Sequence, residues 1–209
     1  MRIGRRGFVG GALLLFGSRA KAAPPDLGGL LARIARSRET MRTLEGPFEQ
    51  TRTIGLLATD VRSSGKLTLV RPDRLRWELA PPDEVTFWVG PEGLAFQSAH
   101  GHGSSRTASG GLGAALDDLR TLLSGDLTGL QTRWDLRVVK DDATGAELEA
   151  APRANAAAPL RRIEFSLAPD LARPKRAVLI EGPRDRTLIE FGTLAINVPV
   201  DDARMRPPH

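Results

Sequence analysis

Cysteine is absent from the 209-residue sequence, and so is tyrosine. Without cysteine an exported chain has no disulfides, no thiol chemistry and no acylated cysteine to anchor it to a bilayer. Histidine is scarce, occurring only as His100, His102 and the terminal His209. Because metal sites usually take three or four ligands and no third ligand stands at a convincing spacing, we predict no metal centre.

Catalytic motifs are equally scarce. No Gly-x-Ser-x-Gly-like elbow occurs, and no glycine-rich phosphate-binding fingerprint follows a strand and opens a helix. Ser104 and Ser105 lie near the two internal histidines, but in a glycine-rich segment typical of a solvated linker. We therefore predict that the protein is not an enzyme; an esterase using His100 or His102 with a nearby serine is the enzymatic alternative.

A long second apolar run is also missing, and the one apolar run lies at the N-terminus. Arg5 and Arg6 precede an apolar stretch of about nine residues, and a small-residue site follows at Ala20-Lys21-Ala22. This layout predicts an export signal over residues 1–22, of the twin-arginine type or an ordinary secretion signal. The mature chain is then 23–209, expected as one soluble domain in the periplasm.

The basic balance of the chain belongs to this N-terminal segment. The sequence has 30 basic and 25 acidic residues, and the first 22 positions hold five of the basic ones and no acidic one. The remaining chain therefore carries 25 charges of each sign. Since phosphate binding needs a net basic surface, we predict that the protein does not bind nucleic acid.

Beyond the signal, hydrophobic periodicity predicts two helices and about ten strands. The helices are 26–43, which Asp26 can cap, and 112–124. Residues 99–113 are expected to form a flexible loop. The strands are 48–54, 65–71, 74–79, 84–89, 94–97, 133–140, 146–151, 160–167, 176–181 and 186–194. This predicts an α+β fold: a curled antiparallel sheet, or half-barrel, of about 9–11 strands with helices covering its concave apolar face.

The alternation of the strands predicts which side chains face the helices. They are Leu67, Leu69, Leu75, Trp77, Leu79, Val85, Phe87 and Val89. A cavity between sheet and helices is plausible and would bind apolar ligands, the alternative being a filled core. Arg71 shares the parity of the leucines, which is unusual for a residue with a permanent charge.

Several segments resemble the outer-membrane lipoprotein carrier family, the LolA-like proteins. They are Gly46-Pro47-Phe48-Glu49-Gln50, the stretch 64–72 with Leu75-Arg76-Trp77-Glu78, Pro82-Asp83-Glu84-Val85, the hairpin at Pro91-Glu92-Gly93, Leu122-Leu123-Ser124-Gly125, Asn197 and Arg206-Pro207-Pro208. The resemblance implies a half-barrel with a helical lid over an apolar cavity, without cofactor or covalent chemistry.

It also implies a function and a set of site residues. Family members take acylated lipoproteins from an inner-membrane ABC exporter and pass them to an outer-membrane acceptor; a monomer is expected. A carrier or sensor of another envelope lipid or glycolipid on the same fold is the alternative. Arg71 is then the latch that bonds the lid near 119–125. The implied cavity wall and lid are Phe48, Leu67, Leu69, Leu75, Trp77, Leu79, Val85, Phe87, Val89, Leu94 and Phe96, with Leu112, Leu116, Leu119, Leu122 and Leu123.

Overall fold

The computed structural model describes residues 26–56, 59–106, 111–125, 127–154 and 160–208. The predicted signal segment and His209 lie outside them. Within these residues the α-helices are α1 (Leu27–Ser37), α2 (Gly111–Ser124) and the short α3 (Leu127–Gln131). None of the described helices has the length and hydrophobicity needed to cross a bilayer.

In the described part of the chain, twelve strands form one antiparallel sheet. They are β1 (Thr43–Ile54), β2 (Thr59–Val70), β3 (Arg74–Leu79), β4 (Thr86–Gly90), β5 (Gly93–Ser98), β6 (Gly101–Ser105), β7 (Trp134–Asp142), β8 (Gly145–Pro152), β9 (Arg162–Leu167), β10 (Pro174–Ile180), β11 (Arg186–Phe191) and β12 (Ala195–Ile196).

The strand order runs β6-β5-β4-β3-β2-β1-β11-β10-β9-β8-β7, with β12 paired to the start of β1. Strands β6 and β7 are thus the two ends of an open, curled sheet, and β1 lies in its middle. The predicted α+β half-barrel is confirmed, with one strand more than the upper limit expected. The helices lie on its concave side, where α1 approaches β7 and α2 crosses β2 and β4.

Helix α1 is shorter than predicted. It ends at Ser37 instead of Thr43, because Thr43 already belongs to β1 and pairs with Val70. Asp26 occupies the N-cap position, as expected, but its side chain makes no capping hydrogen bond. Its apolar face buries Leu30 and Ile34 in the core.

Two segments that lay outside the predicted strands belong to strands in the structure. Gly46 and Pro47 continue β1, since Pro47 lies where the neighbouring pairing passes from β12 to β11, so its missing N–H group interrupts no continuous ladder. Within the expected flexible loop, Gly101–Ser105 forms β6, because its backbone pairs with β5 regardless of its polar side chains.

The outer face of the first strands carries a polar row covered by the chain's last residues. Glu45, Thr68, Arg76 and Trp88 lie side by side across β1 to β4. A 3-10 helix (Asp202–Met205) covers them, and the Trp88 indole donates to the Arg204 carbonyl at 2.9 Å. Trp88 therefore faces away from the concave side, unlike its neighbours Phe87 and Val89.

Candidate functional site

The concave wall of the sheet is apolar and continuous. Register places Leu69, Leu75 and Val89 in one row across β2, β3 and β4, and it places Leu67, Trp77 and Phe87 in the next row. The Phe48 ring stacks on Trp77 with centroids 3.7 Å apart. Six of the predicted wall residues are fully buried, namely Phe48, Leu67, Leu69, Leu75, Trp77 and Val89.

One end of this wall stays partly open, and we call it the apolar rim (Leu79, Phe87, Phe96 and Phe191). Leu79, Phe87 and Phe191 pack against the core while remaining partly exposed. Phe96 is 39% exposed and its ring centroid lies 6.5 Å from that of Phe87. Two further predicted wall residues, Leu94 and Val85, are only partly buried, Leu94 against the core and Val85 just before β4.

Helix α2 is the lid candidate. Its side chains at Leu116, Leu119, Leu122 and Leu123 are buried and belong to the same cluster as the wall residues. Leu112 lies on α2, but its side chain is outside the described part of the chain. In this structure the lid leucines therefore share one hydrophobic core with the residues of the wall.

The C-terminal end of the lid is held by Arg38, the residue that follows α1. Its Nη1 donates to the Leu122 carbonyl at 2.7 Å and to the Leu123 carbonyl at 3.3 Å, and its Nε donates to the Ala172 carbonyl at 3.1 Å. The last carbonyls of a helix have no partners inside the helix, so a guanidinium is well suited to them. Arg38 is 1% exposed.

Arg71 does not make the lid bonds expected of it. Its Nη1 donates to the carbonyls of Arg38 and Met41, at 3.0 Å for Met41. The prediction for Arg71 is wrong because of where the residue lies. Arg71 follows the end of β2 next to the turn that leaves α1, and its backbone N–H donates to the Arg42 carbonyl. The side chain therefore reaches the end of α1, and Arg38 reaches the lid in its place. No pattern in the sequence distinguished Arg38 from the neighbouring arginines 33, 36 and 42.

The two guanidinium groups influence each other. Burial and, second to it, the positive charge of Arg71 lower the pKa of Arg38 to about 10, whereas Asp170 opposes the shift. At neutral pH Arg38 is still protonated. The lid end is therefore fixed by a permanently charged donor in the protein interior.

A second polar anchor joins the lid to β7. Asp118 on α2 is buried and accepts hydrogen bonds from the Arg133 guanidinium and, at 3.3 Å, from the Trp134 indole. Burial raises the pKa of this carboxyl, with Arg133 and Trp134 acting in the opposite direction. The lid is thus held by polar side chains at two points along its length.

Asp170 shapes the loop that offers Ala172 to Arg38. Its carboxylate accepts from the backbone N–H groups of Ala172 and Arg173, both at 3.0 Å, and from the Arg173 guanidinium. Burial acts to raise the pKa of Asp170, but these hydrogen bonds outweigh it and the pKa lies below the usual value.

We expect this loop to weaken in acid. A carboxyl whose pKa is lower in the folded state stabilises the fold above its unfolded pKa of about 4, and loses that contribution as the pH falls through the folded pKa. The difference in unfolding free energy between wild type and Asp170→Ala should therefore be constant from pH 5 to 7 and shrink below about pH 4. Urea titrations across this range would measure it, and a difference that grows on acidification would contradict the assignment.

Two clefts lie beside these elements. One of about 740 Å³ is lined by residues of β1, β2, β3 and β11, including Phe48, Leu79 and Phe191. The other, of about 680 Å³, is lined by residues of β3 to β6 and the C-terminal segment, including Trp88, Met205 and Pro207. His100 and His102 are exposed at the β5–β6 hairpin. Among the described residues, no group of three metal-binding side chains comes together.

Comparison with known proteins agrees with this architecture. Residues 39–94 match the family model of the outer membrane lipoprotein carrier protein LolA. No curated protein sequence matches the chain. A putative outer membrane lipoprotein-sorting protein domain from Vibrio parahaemolyticus is 11% identical, with a TM-score of 0.50 over 85% of this chain and 94% of that one.

Two other solved structures are similar. MucB, also solved from Pseudomonas aeruginosa with MucA, is 16% identical with a TM-score of 0.50 over 87% of this chain, which spans 62% of that protein. A LolA superfamily protein from Nitrosomonas europaea is 7% identical, with a TM-score of 0.47 over 86% of this chain and 97% of that one. MucB and the Vibrio parahaemolyticus domain share the fold of this chain. The segment matched by the family model covers β1 to the start of β5, where the wall residues lie. The chain therefore has the LolA-like fold, and over residues 39–94 its sequence is similar to the outer membrane lipoprotein carrier family.

Proposed function

We propose that this protein is an exported periplasmic carrier of lipoproteins. It binds their acyl chains between the concave sheet wall and the lid, and carries them from the inner to the outer membrane. Residues 1–22 are then the export signal and 23–209 the working domain. The donor is an inner-membrane ABC exporter and the acceptor an outer-membrane protein.

The observation that supports this function best is an apolar wall under a helix whose end is held by a few hydrogen bonds. A hydrogen bond from a charged group contributes roughly 1.5–3 kcal/mol. Arg38 makes two such bonds to the last carbonyls of the lid and a third to the Ala172 carbonyl beside it. Burying an acyl chain contributes about 0.8 kcal/mol per methylene, hence roughly 12 kcal/mol for a chain of about 15 methylenes. An acyl chain can therefore displace the lid, and closure of the lid favours release of the chain to an acceptor.

The first test is capture of a lipoprotein. Chain 23–209 incubated with a detergent-solubilised triacylated lipoprotein should yield a soluble complex after detergent removal, seen by gel filtration and native mass spectrometry. If the lipoprotein precipitates as it does without the carrier, the function is wrong. Free lipid in protein purified from its host, with no lipoprotein bound, would instead favour a carrier or sensor of another envelope lipid.

A substitution in the apolar rim tests whether the rim contacts the cargo. Phe96→Asp removes an exposed ring from the apolar rim, and we expect about a tenfold weaker capture, because burying a phenylalanine against a ligand contributes roughly 1.5–3 kcal/mol. Val139→Asp is the matched control, since Val139 is 51% exposed on β7, at the far edge of the sheet. Equal losses in the two variants would show that the rim does not contact the cargo.

A further inference from the structure

The guanidinium groups of Arg38 and Arg71 bind only neutral acceptors. All five of their hydrogen bonds go to main-chain carbonyls, three from Arg38 and two from Arg71. Neither guanidinium has an ion pair among the described residues. The nearby Asp170 acts on Arg38 electrostatically, but its oxygens are bonded to Arg173 and to the N–H of Ala172. Two positive charges thus meet only neutral acceptors.

Both groups also keep a buried donor without an acceptor. The Nη2 of Arg38 and the Nε of Arg71 are inaccessible to solvent and have no hydrogen-bond partner. A buried unpaired donor is costly, and it costs most on a charged group. Each of the two guanidinium groups therefore has one buried N–H donor that could still bind an acceptor.

The acceptor that suits two adjacent guanidinium groups is an oxyanion. A phosphate or carboxylate offers several lone pairs in the plane of the guanidinium fork and neutralises the charge that the carbonyls leave uncompensated. We propose that Arg38 and Arg71 form a binding site for the phosphate or carboxylate of a lipid head group. The site becomes accessible when the end of α2 moves and the Leu122 and Leu123 carbonyls leave Arg38.

The position of the pair fits a lipid whose chains lie on the wall. Arg71 directly follows β2, and Leu69, Leu67 and Gly65 lead from it to the apolar rim. From Arg71 to Gly65 the strand spans roughly 20 Å, at about 3.3 Å per residue. One leaflet of a bilayer core is about 15 Å thick. A head group at the arginines therefore leaves the length of the wall to the acyl chains. This inference rests on the proposed binding of acyl chains to the wall. It specifies the alternative cargo, an envelope lipid with an anionic head group, because the acylated end of a lipoprotein carries neither a phosphate nor a carboxylate.

The test compares probes with one acyl chain and different heads. Palmitoyl lysophosphatidic acid and palmitate are anionic, monopalmitoylglycerol is neutral, and inorganic phosphate lacks the chain. Titration of chain 23–209 below the aggregation limit of each lipid, followed by tryptophan fluorescence, should give at least tenfold tighter binding of lysophosphatidic acid than of monopalmitoylglycerol. Inorganic phosphate at millimolar concentration should not compete.

Variants locate the preference. The double variant Arg38→Met, Arg71→Met should still bind monopalmitoylglycerol, but its preference for lysophosphatidic acid should fall to about twofold or less. Arg38→Lys should retain part of this preference. Arg76→Met is the control, because Arg76 is a largely buried arginine on the outer face, stacked on Trp88. The Arg76→Met variant should prefer lysophosphatidic acid as strongly as the wild type does. If the double variant does not fold, Arg71→Met alone and the wild-type comparison still decide the question.

The contrary outcomes are separable. Equal wild-type affinity for lysophosphatidic acid and monopalmitoylglycerol would overturn the head-group site and leave the carrier function standing. Competition by inorganic phosphate as strong as that by lysophosphatidic acid would assign the arginines to a free anion and overturn the lipid assignment. Binding of neither acylated probe would overturn the head-group site, whereas the carrier function is decided separately by the capture of a triacylated lipoprotein.

Discussion

Replacing Arg38 with methionine is expected to release the C-terminal end of the lid while the sheet stays folded. Three hydrogen bonds to the carbonyls of Leu122, Leu123 and Ala172 are lost. Part of that loss is offset, because methionine also removes a buried charge and its repulsion by Arg71. We expect opening of α2 to become easier by about 3 kcal/mol, or roughly 100-fold.

Hydrogen exchange would measure this release directly. Amides of residues 119–124 should exchange about 100-fold faster in Arg38→Met, whereas those of β10 should keep their protection. Arg38→Lys should fall between the two, since a lysine keeps the charge without the fork. Unchanged exchange in α2, or an equal acceleration in α2 and β10, would mean that Arg38 supports the whole fold and does not hold the lid. Arg76→Met again serves as control.

Replacing Gly65 with alanine is expected to cost about 3 kcal/mol of unfolding free energy, at the upper end of what overpacking costs. A Cβ atom at Gly65 would lie 2.0 Å from the Glu78 carbonyl oxygen and 2.6 Å from Cζ of Phe48. The first atom belongs to the backbone of β3, and the second to a ring already stacked on Trp77. Neither can move without separating β2 from β3 or disrupting the wall.

Thermal unfolding is the simplest measurement of this effect. For a domain of this size, 3 kcal/mol corresponds to a decrease in Tm of about 6–12 °C. Gly28→Ala is the matched control, because a Cβ there meets only the Asp26 carboxylate at an ordinary 3.5 Å and alanine favours the helix. Its Tm should stay equal or rise. A Gly65→Ala protein as stable as wild type would show that the two strands can accommodate the methyl group.

The strand alternation predicted the wall because period-two patterns depend only on neighbours in sequence. Leu67, Leu69, Leu75 and Trp77 all face the concave side, and their burial follows from parity alone. The same reasoning overlooked β6, since a sequence such as Gly-His-Gly-Ser-Ser carries no apolar face. Its strand exists because β5 offers an edge, which is a tertiary property.

The sequence predicted the chemical type of the contact at the end of the lid, but not the residue that makes it. A guanidinium bonded to the last carbonyls of α2 is present, but it belongs to Arg38 and not to Arg71. Sequence parity identified Arg71 because it lies in register with a strand, whereas Arg38 lies in the turn after α1, where no periodicity applies. Which of several arginines enters the interior depends on the path of the α1–β1 connection, and that path is fixed only once the sheet has formed.

The place of β1 in the middle of the sheet has a consequence for how the chain acquires its fold. Its partners are β2, the next strand along the chain, and β11 with β12, from the far end of the chain; Phe48, for example, pairs with Phe191. Pairings so distant in sequence slow folding, because the ordering cost of a long loop precedes any gain. Until the last strands arrive, β1 presents a bare hydrogen-bonding edge of the kind that recruits other chains. Aggregation during folding should therefore start at this central strand.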